Sequence, residues 1–303
     1  MLVWLMILSY IPIALAGVAY GAIRRRKIIC IKRVFELMVH YRSLVRGGAS
    51  GQVLDEQGAW YTKPPLCWAH AGGAFPVLYG NSLENFDSAI KNGFRCLEVD
   101  VALTRDNLPV LSHLFMPNME HQYVGIPDFA SFMQHKICDR FTPLSLDLFV
   151  ERYKDFDGYF FLDGLAFSKS RFDFLDYFKN RVPAGFAKKC IVQVIKFSDL
   201  QMLKGNDVFG GIHFNGISGI AERPIIRRLL INVLSACNVH SVSISDFEIN
   251  SDIRSMVADF NKANIRVSIA GVNSLSHYKR MVSIGVSCID TDYLMPSDLR
   301  NNT

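Results

Sequence analysis

From Lys63 onward, short apolar runs alternate with longer stretches of helical periodicity, and this alternation constrains the fold more than any other feature. A strand that leads through a helix to the next strand builds a mostly parallel sheet covered by helices. The runs predicted as strands are Leu66 to Ala69, Arg95 to Val101, Pro109 to His113, Tyr159 to Asp163, Cys190 to Ile195, Gly211 to Phe214, His240 to Ser245, Ile265 to Ala270 and Val286 to Ile289. That is one more than a closed eight-stranded barrel needs. Helices are predicted over Ser82 to Asn92, with Ser82 as N-cap and Gly93 past the end, over Leu144 to Tyr153, opened by Thr142 and Pro143, and over Ser274 to Ile284, closed by Gly285. With 303 residues, half of them hydrophobic, the chain can bury a single large domain and still carry an appendage.

The appendage is N-terminal. Met1 to Ile23 contains no charged side chain, and its length suffices to cross a hydrocarbon core of about 30 Å as one transmembrane helix. A cleaved signal peptide is the rival, but the positive n-region it requires is missing. Arg24, Arg25, Arg26 and Lys27 follow at once. By the positive-inside rule they place the bulk of the chain in the cytoplasm, as a single-pass protein of an inner or plasma membrane, with export as the alternative. From Arg24 to Arg46 eight Lys or Arg stand against one Glu, so this segment carries +7 of a net +5 and leaves −2 for the rest. The basicity is local, and no nucleic-acid partner is expected. Between Lys27 and Arg46, Ile31, Val34, Phe35, Met38 and Leu44 fall near helical spacing. They predict either a basic helix on an anionic bilayer surface or a solvated linker helix. Gly47, Gly48, Ser50 and Gly51 then break the chain, which divides into an anchor over 1–23, a basic juxtamembrane linker over 24–60 and a domain over 61–303. The seven cysteines are scattered, odd in number and without a CxxC pair, which argues for reduced core residues over a disulfide framework or a zinc site.

Within the domain, Trp68 to Leu114 concentrates groups that a folding core does not choose. Glu98 and Asp100 lie two apart on a predicted strand, so both carboxylates share one face while Leu97, Val99 and Val101 take the other. Two like charges on a half-buried strand repel and lose hydration unless a cation or donors sit between them. His70 and His113 each end an apolar run. The connection from Ala102 to Leu108 is too short for a crossover helix, so the strands it joins form a hairpin or a helix-free crossover. A hairpin turning at Asp106 and Asn107 would set His113 opposite Asp100, and a parallel crossover would leave it beside Asp100. Asp163 closes another apolar strand, where a carboxylate needs a partner.

Two imidazoles and three carboxylates around a cation suit phosphodiester hydrolysis. One histidine takes a proton from the attacking hydroxyl and the other gives one to the leaving oxygen. An oxygen-only ligand set points to Ca²⁺ or Mg²⁺. The segments Ala69-His70-Ala71-Gly72, Asn81-Ser82-Leu83, Glu98-Val99-Asp100, Thr104-Arg105-Asp106 and Pro109 to His113 occur in this order. Together with Tyr159 to Asp163, Val272-Asn273 and Ile289 to Tyr293, they resemble the glycerophosphodiester phosphodiesterase family, within the phosphatidylinositol-phospholipase-C-like phosphodiesterases. The resemblance runs from about Cys67 to Pro296 and implies a TIM-like (β/α)₈ barrel with its site at the C-terminal strand ends. It implies His70 and His113 as acid and base, Glu98, Asp100 and Asp163 as ligands of a divalent metal ion, and a phosphodiester small molecule or lipid headgroup as substrate. Asn81 and Gln193 are candidates for contacting that substrate. The chain departs from the family pattern at Ala71, in place of an arginine, at Gly80, in place of a glutamate, at Leu114, in place of an aspartate, and at Leu165, in place of a lysine. These departures favour the alternative of a non-catalytic membrane-anchored barrel that binds a phosphorylated ligand; a further alternative is a lyase that stops at a cyclic phosphate, as in the phospholipase-C-like branch. The remaining histidines, including His213 and His240, are read as structural.

Overall fold

The computed structural model describes residues 32–45, 66–73, 80–113, 125–165, 167, 172–205, 207–215, 217, 221–244 and 253–300. The stretch read as a transmembrane anchor, 1–23, lies outside the described residues, as do Leu114 and the glycine break after Arg46. Among the described residues no helix is long and apolar enough to cross a membrane.

Eight parallel strands close into a barrel. In sequence order they are β1 (Leu66–Ala69), β2 (Cys96–Leu103), β4 (Tyr159–Asp163), β5 (Cys190–Val194), β6 (Gly211–Phe214), β7 (Ser241–Ile244), β8 (Arg266–Ile269) and β9 (Cys288–Thr291). Each pairs with the next, and β1 pairs with both β2 and β9, which closes the ring. Helices α2 (Leu83–Lys91), α4 (Leu146–Tyr153), α5 (Phe174–Asn180), α7 (Phe197–Leu203), α8 (Pro224–Ala236), α9 (Ile253–Lys262) and α10 (Leu275–Ser283) return the chain between strands. Shorter helices are α3 (Phe129–Gln134), α6 (Ala184–Ala187) and α11 (Pro296–Arg300). Residues 32–45 form α1, which lies against the outside of the barrel with Leu37 and Leu44 buried in the main core.

The surplus strand is β3 (Pro109–Leu111), antiparallel to β2. The hairpin is therefore real, but its register is one residue from that expected. Val101 faces Leu111, Leu103 faces Pro109, and Asp100 accepts through its carbonyl from the Ser112 N–H at 3.0 Å, so Ser112 and not His113 stands opposite Asp100. The reason lies in the turn. It runs over the odd span Thr104 to Leu108, with Thr104 and Leu108 bonded to each other and Asn107 in the left-handed region at φ 60°. Asparagine tolerates that region.

Helix starts follow local capping chemistry. Ser82 caps α2 as predicted, and Ser274, read as the first helical residue, caps α10; each hydroxyl accepts from the third residue beyond it. α4 is capped by Ser145, not opened at Thr142 and Pro143. Thr142 instead donates from its backbone N–H and its hydroxyl to Glu84 on α2, at 2.8 and 2.7 Å.

The strands alternate cleanly between two layers. Leu97, Val99, Phe160, Leu162, Val192, Val242, Val267 and Ile289 point outward under the helices. Trp68, Cys96, Phe161, Ile191 and Cys288 fill the barrel itself, with Trp68 stacked on Phe161 at 4.1 Å and His213 edge-on to both rings. His213 and His240, read as structural, are buried at 0% and 6% exposure. Burial pushes their imidazoles down to about 3 and about 4, so both are neutral packing groups. The described cysteines are free thiols, mostly buried.

Candidate active site

The plug of the barrel determines what lies above it. Side chains repeat on one face every second residue of a strand. Two residues beyond Trp68, Cys96, Phe161, Ile191 and Cys288 the chain carries His70, Glu98, Asp163, Gln193 and Asp290. These residues stand toward the C-terminal strand ends, where an eight-stranded barrel opens.

Glu98 and Asp100 share the inner face of β2, and β4 pairs Asp163 directly with Asp100. A carboxylate oxygen from each of the three lies within 4.8 Å of the other two. Glu98 and Asp100 are buried, at 5% and 4% exposure. Burial, then the Asp100 charge, holds Glu98 well above the ordinary carboxylate range. Asp100 is raised for the same first reason, partly offset by its hydrogen bond from Asn81. Asp163 accepts from the Gly164 N–H at 2.5 Å. Gly164 has φ 81°, and a Cβ there would lie 2.2 Å from the Val101 carbonyl, so only glycine lets β4 approach β2 closely enough to join its carboxylate to the pair.

His70 opens a single tight turn after β1. Its ring donates through Nδ1 to Asp292 Oδ1 at 2.7 Å, just beyond β9. That hydrogen bond is the main cause that raises the imidazole to about 10, against the opposing effect of burial. Asn273 orients Asp292 in turn, donating from Nδ2 to Oδ2 at 2.9 Å and accepting the Asp292 N–H at 2.8 Å. Ala71, in the left-handed region at φ 47°, aims its N–H at Glu98 Oε2, 2.6 Å away. His113 follows Ser112 at the exposed end of the hairpin, close enough to Asp100 to interact with it electrostatically.

Asn81, expected at the substrate, is hydrogen-bonded to Asp100. It is 1% exposed, donates from Nδ2 to Asp100 Oδ2 at 2.8 Å and accepts the Asp100 N–H at 3.0 Å. Its amide is thus engaged on Asp100 at both ends. Gln193 is inward-facing on β5, one position beyond the paired Leu162 and Val192 and so level with Asp163.

Asp292, Asn273 and Asp290 escaped assignment from the sequence, although the spacing of Asp290 and Asp292 repeats the pattern that singled out Glu98 and Asp100. Asp290 has an oxygen sealed from solvent with no hydrogen-bond partner among the described residues, and burial pushes its carboxyl up to about 7. The Ala71 and Gly80 departures prove to be a single feature. A Cβ on Gly80 would lie 2.2 Å from the Ala71 Cβ, and the Asn81 N–H donates to the Ala71 carbonyl at 2.8 Å. The two segments close on each other, so a side chain at 80 would displace residue 71. Leu165 is buried, at 4% exposure, in the outer core.

The model of the glycerophosphoryl diester phosphodiesterase family matches residues 71–117. No curated protein matches the chain. Among solved structures, a phosphodiesterase of Oleispira antarctica, determined in complex with the product sn-glycerol-3-phosphate, superposes with a TM-score of 0.62 at 17% identity, over 78% of this chain and 96% of that one. A glycerophosphoryl diester phosphodiesterase of Parabacteroides distasonis gives 0.61 at 15% identity, over 78% and 87%. The glycerophosphodiester phosphodiesterase of Thermotoga maritima gives 0.56 at 17%, over 78% and 96%. The chain therefore has the barrel fold of the glycerophosphodiester phosphodiesterases and, over residues 71–117, matches the sequence model of that family.

Proposed function

We propose that this chain is a divergent glycerophosphodiester-phosphodiesterase-type hydrolase that cleaves a glycerophosphodiester- or lysophospholipid-like phosphodiester. The observation that carries the reading is the trio of carboxylates Glu98, Asp100 and Asp163, gathered within 4.8 Å beside a histidine clamped by its own aspartate. Three buried or half-buried carboxylates this close repel one another unless a cation offsets them, and an all-oxygen set suits a hard divalent ion, Ca²⁺ or Mg²⁺. Such an ion, when bound by these three residues, supplies charge stabilisation to the phosphoryl oxygens.

The residues of the chain divide the proton work. His70, raised to about 10 by Asp292, holds its proton at neutral pH and serves as the acid that protonates the leaving oxygen. His113, at the end of the hairpin beside Asp100, takes the proton from the attacking hydroxyl. Asn81 orients Asp100, and the Ala71 N–H orients Glu98. Gln193, level with Asp163 on the neighbouring strand, contacts the substrate in this reading. The uncharged segment 1–23 and the arginines after it support a single-pass anchor with the barrel on the cytoplasmic side. A reporter fused after Thr303 reads that side directly.

Phosphorus NMR of the purified full-length chain, with glycerophosphodiesters and lysophospholipids in Ca²⁺ or Mg²⁺, tests the activity. Turnover should fall about 10²–10⁴-fold in His70→Ala and be lost in Glu98→Ala. Undiminished turnover in either variant, or none in the parent with either ion, would overturn the proposal.

A further inference from the structure

The first described helix has two working faces. The inner face of α1 carries Leu37 and Leu44, at 1% and 0% exposure, and packs with Val34, Tyr41 and Val45 against the main core. Polar contacts fix its direction. Arg33 donates to the carbonyl of Ile195, the first residue past β5. His40 meets Gln201 in the middle of α7 at 3.3 Å, and Lys204, past the end of α7, donates to the Leu44 carbonyl at 2.6 Å. Since α7 descends from the mouth of the barrel to its base, α1 does the same. Its first turn stands at the mouth.

The outer face of α1 is apolar where a solvated linker would be polar. Phe35, Met38 and Val39 are 67%, 67% and 57% exposed, with exposed Lys32 and Arg42 on the same side. Two more exposed apolar residues stand at the mouth, Ile195 beyond β5 and Ile225 at the start of α8, at 42% and 78%. Several large apolar side chains left open to water on one helix face mark a contact surface. Three facts identify what fits it. The chain enters α1 at its mouth end, directly from a segment of 23 residues without a charge and the run Arg24 to Lys27. The surface is edged by cations. The excess positive charge of the whole protein lies between Arg24 and Arg46.

We propose that the outer face of α1 and the adjoining mouth rim form a docking surface for an anionic phospholipid bilayer, holding the barrel mouth against the headgroup layer. Apolar side chains enter the headgroup boundary while the flanking Lys and Arg meet lipid phosphates. Resting on the phosphodiesterase reading, this surface gives phosphodiesters borne by a membrane lipid preferred access to the site, the apolar part staying in the bilayer as the headgroup reaches His70.

The test uses the full-length chain in vesicles of 70% phosphatidylcholine and 30% phosphatidylglycerol containing a trace of phospholipid with a photoreactive acyl chain. After illumination, peptide mass spectrometry should find label on Phe35, Met38 or Val39 as well as on 1–23. Phe35→Ser/Met38→Ser/Val39→Ser should lose the α1 label while thermal melting stays unchanged. The same variant should hydrolyse a vesicle-borne lysophospholipid about tenfold more slowly and a water-soluble glycerophosphodiester at the parental rate. Label confined to 1–23 would overturn the proposal, as would equal loss of both activities in the serine variant. A dimer that the serine variant converts to monomer would overturn it too, by making the patch a self-interface. Label on α1 in a chain that turns over neither substrate would sustain the docking surface and remove the hydrolase reading, so the two fail separately.

Discussion

Asp292 determines what His70 can do. A hydrogen-bonded carboxylate stabilises the imidazolium, which carries the group from its ordinary value near 6.5 to about 10. A histidine held above its unfolded value adds stability that is fully present below pH 6.5 and disappears as pH rises through about 10. Asp292→Asn should therefore lower the melting temperature near pH 6 more than near pH 10. It should also bring the alkaline limb of the kcat/KM profile toward neutrality, with a loss of about 100-fold at pH 9 and far less at pH 6. A limb that stays in place in the variant would separate His70 from the acid role. The histidines and the first carboxylate pair could be read residue by residue, because a charged group at the end of an apolar strand is conspicuous. Asp292 shows the same spacing with Asp290, but its partnership with His70, 222 positions away, is not written in the sequence.

Elements place these residues by register and close approach. The hairpin of β2 and β3 was legible from its short connection, yet its register followed the odd loop Thr104 to Leu108, in which Asn107 takes the left-handed region. The same holds where β4 meets β2. Gly164→Ala would set a methyl against the Val101 carbonyl at a positive φ, and overpacking of this kind costs about 1–3 kcal/mol. Denaturant unfolding should show that loss, and affinity for a divalent cation should weaken with it, because Asp163 is the residue displaced. Equal stability and affinity would mean that the backbone of β4 adjusts freely. The pairing of Ala71 with Gly80 belongs to this scale too. Two departures that look independent in the sequence are one contact in space.

For the molecule as a whole, folding gathers like charges that the unfolded chain keeps apart. Glu98 lies well above the ordinary range because burial and Asp100 oppose its charge, so the cation-free barrel folds against that repulsion. Ca²⁺ or Mg²⁺ at about 100 times its dissociation constant should add about 2.7 kcal/mol to stability by mass action, read as a rise in melting temperature. Glu98→Gln/Asp100→Asn/Asp163→Asn should abolish that rise while melting higher than the parent without added cation. A parent whose melting temperature ignores both ions would remove the cation from the site.

The sequence by itself determined the βα alternation of a mostly parallel sheet and the strand ends that carry chemistry, while the barrel was implied by the family resemblance. Alternation of period two and period 3.6 depends only on which residues must leave water. It also showed His70, Glu98, Asp100, His113 and Asp163 as groups foreign to a core. Only the tertiary structure decided which of them meet. Register, the closing of β1 on β9, the turn of Asn81 toward Asp100 and the clamp of Asp292 on His70 are contacts between distant segments. Their energies depend on distances of a few ångströms, which residue order does not contain.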